Sequence, residues 1–92
     1  MCTIFIKPII DVEATASNIK TLRIKAGFTV KQIQTLFNFN SPQAIYSWEN
    51  GSYLPTIDNL IVLAAIYGVS VDDIIVTKTV EIECNNLEVK SA

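Results

Sequence analysis

The chain has 92 residues, half of them apolar, with seven basic and nine acidic groups, two cysteines and no histidine. That is material for one compact domain with a real core and too little for a second. Without histidine, and with Cys2 and Cys84 far apart, neither a zinc cluster nor a Cys/His nucleophile can be built, so two reduced thiols and no metal or cofactor are expected.

In chain order, Cys2 to Ile6 is rich in β-branched and aromatic residues and reads as an extended segment. Lys7 and Pro8 interrupt the apolar stretch Ile4 to Ile10 and no small-residue cleavage pattern follows, so it does not read as a secretory signal, and a cytoplasmic protein is expected. A first helix starts between Asp11 and Thr15 and runs to Ala26. It has Ile19, Leu22 and Ala26 on one face, its basic residues Lys20, Arg23 and Lys25 largely off that face, and Gly27 as left-handed terminator. Thr29, Ser41, Thr56 and Ser70 each mark a further helix start, because a hydroxyl there accepts hydrogen bonds from otherwise unpaired amides. Gln32 stands three residues after Thr29 and Asp73 three after Ser70, both close to a reciprocal capping arrangement. Pro42 after Ser41 suits a first helical position.

The second helix, about Val30 to Phe37, is expected to turn Ile33, Leu36 and Phe37 inward, and Asn38, Phe39 and Asn40 form a short connector. The third runs from Pro42 to about Asn50 and stops at Gly51. Its Ile45 and Trp48 face the core, leaving Gln43, Ala44, Ser47 and Tyr46 toward the outside. A fourth helix, Ile57 to Tyr67, is apolar nearly all round and so needs cover on more than one side, from the short fifth helix Val71 to Ile75, from the terminal segments or from a second subunit. Its longest apolar run, Leu60 to Tyr67, falls far short of the ~20 residues of a membrane span, so no membrane partner is expected. Val80, Ile82 and Cys84 alternate with Glu81 and Glu83 as in a half-buried strand. A ladder between this strand and the N-terminal one, within or between chains, would need a helix face beneath it, and residues 85–92 are expected to fray. The organisation expected is an N-terminal extension over residues 1–13, a helical domain over 14–76 and a C-terminal extension over 77–92.

Charge is unevenly placed along this plan. Residues 1–50 carry five basic and three acidic groups and residues 51–92 two basic and six acidic, so a polyanion fits the first half and a protein partner the acidic second half. Two short helices joined by a tight turn, the second exposing small and amide side chains, form the geometry by which a helix is offered to the major groove. The stretches Ile19 to Arg23, Gly27 to Ile33, Ile45 to Gly51, Pro55 to Leu60 and Tyr67 to Ile74 together resemble the lambda-repressor-like, Cro/repressor-type helix-turn-helix family, the regulators of xenobiotic-response-element type. The resemblance implies an all-α, five-helix domain, here with short terminal strands, and a transcriptional regulator, most often a repressor, that binds double-stranded DNA as a homodimer.

Carried over residue by residue, the resemblance makes Gln43, Ala44 and Ser47 base-reading residues. A glutamine amide matches adenine N6 and N7, and an alanine methyl matches the thymine methyl. It makes Lys31, Gln32, Tyr46, Asn50, Ser52 and Tyr53 contacts to the DNA backbone, and Arg23 and Glu49 an architectural pair whose bidentate bond locks the recognition helix to the first helix. Two features depart from the family. The turn from Leu36 to Ser41 is one residue longer than in the commonest members, and no Lys or Arg occurs between Lys31 and Lys78. With so few cations a single copy should bind weakly and with a shallow salt dependence, which association of two copies would offset. A protein-interaction module, such as an antitoxin or adaptor, is the alternative. An enzyme is a distant third, since no phosphate loop is present and Asp72 and Asp73 are explained by helix capping.

Overall fold

The helix ends follow from the chemistry of the residues that stand there. The computed structural model describes residues 3–84 and contains β1 (Ile4–Ile10), α1 (Val12–Ala26), α2 (Val30–Phe37), α3 (Gln43–Asn50), α4 (Ile57–Tyr67), α5 (Val71–Ile74) and β2 (Thr77–Glu83). Cys2 and the expected fraying of 85–92 lie outside the described residues. Asp11 Oδ1 accepts the Ala14 N–H at 3.0 Å and starts α1, and Gly27, at φ +83°, ends it. Thr29 and Gln32 exchange hydrogen bonds reciprocally at the start of α2, as do Ser70 and Asp73 at the start of α5, satisfying two otherwise orphaned amides at each helix.

Two expected starts differ in detail. α3 begins at Gln43 with Pro42 as its N-cap residue, one position later than expected, and the Ser41 hydroxyl reaches only the Gln43 N–H, at 3.4 Å. Thr56 caps no amide of α4; its hydroxyl donates to the Asp58 carboxylate instead, and that bond holds the Asp58 pKa below the usual carboxylate value.

The core gathers Ile19, Ile33, Ile45, Trp48, Leu60, Leu63, Ala64, Tyr67 and Ile74, drawn from all five helices. Burying such side chains contributes ~1.5–3 kcal/mol each relative to exposure. Leu36 and Ala26, expected inward, are exposed. Leu36, one turn on from Ile33 and at the edge of the same stripe, lines a shallow depression with Phe28, Lys31, Gln32 and Thr35, and Ala26 is in the last turn of α1. Among the described residues α4 receives cover on one side only: Leu60, Leu63, Ala64 and Tyr67 are buried, whereas Ile57, Ile61 and Ala65, spaced four residues apart, form an uncovered apolar stripe. No helix among the described residues is long and apolar enough to cross a membrane.

β1 and β2 pair antiparallel, Ile4 opposite Glu83 through to Ile10 opposite Thr77, so the terminal strands pair within the chain. β1 continues past the Ile6 limit expected from the sequence, through Lys7 and Pro8. Helix α1 is tied to the base of the ladder: Asp11 N–H donates to Val76 O at 2.8 Å, and the buried Thr15 hydroxyl both donates to Val76 O and accepts from Val76 N–H. Beyond that tie the ladder leaves the helical body. Only Ile9 and Val80 of its fourteen residues are half-buried and the rest are exposed, in contrast to the half-buried strand resting on a helix face that the alternation predicted. The molecule measures 55 × 24 × 23 Å, and its radius of gyration is 17.4 Å where a compact chain of this length has about 12 Å.

Candidate nucleic-acid interface

α3 is an eight-residue helix, too short to hold its position by its own hydrogen bonds, so its placement depends on what grips it. On its inner side Ile45 and Trp48 are buried. The five residues between α2 and α3 grip it as well: Asn38 takes the left-handed conformation (φ +59°) that closes α2, and Phe39 then folds back. The Phe39 ring stacks on Phe37 with centroids 5.0 Å apart, and both meet the Trp48 indole edge-on at 6.0 and 5.3 Å. Gln34 donates to Phe39 O at 3.2 Å and fixes the same turn. In sequence Phe39 reads only as part of a connector; an aromatic residue flanked by two asparagines is the signal there that the turn packs inward.

At the other end of α3, Arg23 and Glu49 form a bidentate pair, Nε to Oε2 at 2.7 Å and Nη2 to Oε1 at 3.1 Å, and Arg23 Nη1 also donates to Phe28 O at 3.0 Å. The two side chains are only 12 and 6% exposed. Hydrogen bonding to Glu49 holds the Arg23 pKa above its ordinary value, and the pair fastens α3 to α1. Gly51, at φ +82°, turns the chain at the end of α3 and lies against α1, so that an added Cβ would stand 3.7 Å from Ala16 Cβ. Tyr67 lies under this pair with its hydroxyl buried and without a hydrogen-bond partner among the described residues, and burial, with the nearby Glu49 carboxylate, pushes its pKa up to about 12.

What remains on the outer side of α3 is a stripe at i, i+3, i+4 and i+7: Gln43, Tyr46, Ser47 and Asn50. Gln43, Tyr46 and Asn50 are exposed and Ser47 is half-buried. Ala44 sits at the margin of this stripe, half-buried and packed against the core, so of the three expected base-reading residues Gln43 and Ser47 share a face and Ala44 borders it.

Around the stripe, Lys31 and Gln32 are exposed in the first turn of α2, beside a shallow depression of about 290 Å³ that they line with Phe28, Thr35 and Leu36. The Gln32 carbonyl oxygen is occupied by the Thr29 N–H at 2.9 Å, which leaves its amide nitrogen free to donate. Asn50 is similar, with Oδ1 accepting the Ser52 N–H at 2.8 Å. Ser52 and Tyr53 are exposed just after α3, and Tyr53 is 71% exposed. The exposed polar groups at this surface are mostly neutral donors, and its one cation among the described residues is Lys31.

A capped helix, a short packed turn and a second helix gripped on its inner side and bare on its outer side define a helix-turn-helix of the DNA-binding class. A family model described as helix-turn-helix matches residues 19–74, more than half of the chain, and the chain belongs to the lambda-repressor-like, Cro/repressor-type helix-turn-helix family of DNA-binding regulators. No curated protein and no solved structure matches the chain.

Proposed function

We propose that the protein is a sequence-specific transcriptional repressor in the cytoplasm that binds duplex DNA as a homodimer, with α3 in the major groove. The observation that carries this reading is the outward stripe of α3, an amide and a hydroxyl presented on a helix immobilised by the Arg23–Glu49 pair and the Phe37, Phe39 and Trp48 rings. In this reading Gln43 pairs bidentately with adenine, Ser47 donates to a base edge, and Ala44, from the margin of the stripe, meets a thymine methyl. Lys31, the free amide nitrogens of Gln32 and Asn50, and the hydroxyls of Tyr46, Ser52 and Tyr53 contact phosphates and set the register. Two copies on a palindrome, with half-sites about 34 Å apart, double both contacts and charge. Residues 14–76 form the binding domain, with extensions on either side.

A second reading, a protein-interaction module such as an antitoxin or adaptor, is favoured by one observation: α3, α4 and α5 carry no Lys or Arg, while Asp58, Asp72, Asp73, Glu81 and Glu83 are exposed. Fluorescence titration of DNA from upstream of the protein's own gene, at rising salt, separates the two. The repressor reading expects salt-sensitive binding that Gln43→Ala weakens by about 1–3 kcal/mol on the preferred sequence alone. It also expects Lys31→Ala to weaken all sequences alike and to reduce the salt slope by about one. Absence of salt-sensitive binding, together with a stable co-purifying protein, favours the module.

A further inference from the structure

The ladder's hydrogen bonds separate its two outer edges. Cys84 N–H donates to Thr3 O and Asp11 N–H to Val76 O, and these are direct partners in the β1–β2 register. The bonded pairs are therefore those of the odd residues of β1 with the even residues of β2, and the alternate residues turn their amides and carbonyls outward. On β1 the outward positions are Ile4, Ile6, Pro8 and Ile10, and Pro8 has no N–H to offer. The ladder tolerates proline there because no inward bond is lost, and the outer edge of β1 is interrupted by it. On β2 the outward positions are Thr77, Thr79, Glu81 and Glu83, with every donor and acceptor present and no partner among the described residues. One edge is blocked and the other is open.

We propose that the open edge of β2 is the surface on which a second copy of this chain docks, the two β2 strands pairing antiparallel about a two-fold axis at Val80. The proposal rests on the homodimer reading above and names its surface. The β2 sequence is complementary to itself in this direction, because Thr77, Lys78 and Thr79 occupy its first half and Glu81 and Glu83 its second. With the axis at Val80 all seven residues pair. Glu81 then lies opposite Thr79 of the partner subunit and Glu83 opposite the partner's Thr77, so each carboxylate meets a hydroxyl able to donate. Val80 lies opposite the partner's Val80 at the close, non-hydrogen-bonded spacing. Moving the axis to Glu81 sets two carboxylates directly opposite and leaves five residues paired; moving it to Thr79 also leaves five. Parallel pairing in register lines glutamate against glutamate. The product is a four-stranded sheet, which escapes the marginal stability of a two-stranded ladder.

The test is sedimentation of the full chain over a dilution series, comparing Thr79→Pro with Ile6→Pro. Each substitution deletes one outward N–H and leaves the β1–β2 bonds in place, but only the first lies on the proposed edge. Thr79→Pro is expected to weaken the dimer about a hundredfold, roughly tenfold for each of the two hydrogen bonds lost across the axis, and Ile6→Pro to leave it unchanged. Amide hydrogen exchange on the unsubstituted chain gives the same answer without reliance on a variant that folds: dilution-sensitive protection at Thr77, Thr79, Glu81 and Glu83, and none at Ile4 and Ile6. A dimer indifferent to Thr79→Pro but dissociated by Ile61→Glu on the α4 stripe overturns the β2 assignment and leaves the homodimer standing. A chain that binds DNA while monomeric overturns both.

Discussion

In the helical body, most residues that periodicity marks as inward are covered by neighbouring helices, Leu36 and Ala26 excepted, and Ile19, Ile33, Ile45, Leu63 and Ile74 have no exposed surface. In the ladder, Val80 and Ile82 alternate just as plainly with Glu81 and Glu83, yet Ile82 is 42% exposed and Phe5, opposite it, 52%. Both regions obey their backbone period. They differ in what lies over the apolar side, and period does not encode that. The body is closed by its own chain, whereas among the described residues the ladder ends in unpaired backbone and uncovered side chains, as the proposed docking edge requires.

The contrast is sharpest when each region is probed with a deletion. Glu49→Ala leaves the Arg23 guanidinium nearly buried without its partner and is expected to destabilise the body by about 3–5 kcal/mol in chemical denaturation. A loss below about 1 kcal/mol would mean that the pair behaves as an exposed one and that α3 is held by its aromatic contacts alone. Phe39→Ala, which removes the ring stacked in the α2–α3 turn, is expected to cost roughly 2 kcal/mol, less than the full penalty for a buried phenylalanine because Phe39 is only half-buried. The same truncation at Phe5, on the ladder, should change the stability of the monomer by less than about 0.5 kcal/mol. Equal losses at the two positions would erase the distinction between body and ladder.

A smaller effect falls on the buried Tyr67 phenol. Its pKa of about 12 in the fold stands above the ordinary value of 10, so an unfolded chain releases this proton at lower pH than the folded one does. The contribution to stability is complete below pH 10 and is lost as pH rises from 10 to about 12, by up to about 2 kcal/mol. Tyr67→Phe should flatten that alkaline decline. At neutral pH it should change stability by less than about 1 kcal/mol, because the hydroxyl it removes has no hydrogen-bond partner. Thermal unfolding between pH 7 and 12 reads both.

Local features were the legible ones. The reciprocal caps at Thr29 and Ser70 and the terminator at Gly27 depend on residues within three or four positions, and the structure has each of them. The family and its five helices were legible from spaced motifs, and so was the Arg23–Glu49 pair. Leu36 and Ala26 were misread because both fall near the edge of an apolar stripe, where the neighbouring helix rather than the period decides burial. In sequence Pro8 reads only as an interruption of the apolar stretch Ile4 to Ile10, because the direction of its missing N–H is set by the partner strand and becomes visible only with the register. Within the candidate site, the outward stripe of α3 followed from the burial of Ile45 and Trp48, but the half-burial of Ala44 depends on how closely the core approaches the helix flank, a tertiary distance with no local signature.

In the proposed function the bare flank of α3 meets DNA while the ladder does not. Amide NMR of the full chain during titration with its operator duplex tests this most directly. Shifts are expected to concentrate at Lys31, Gln32 and residues 43 to 53, with the β1 and β2 signals unmoved at constant protein concentration. Shifts confined to the strands, or an α3 that stays silent while the complex forms, would contradict it.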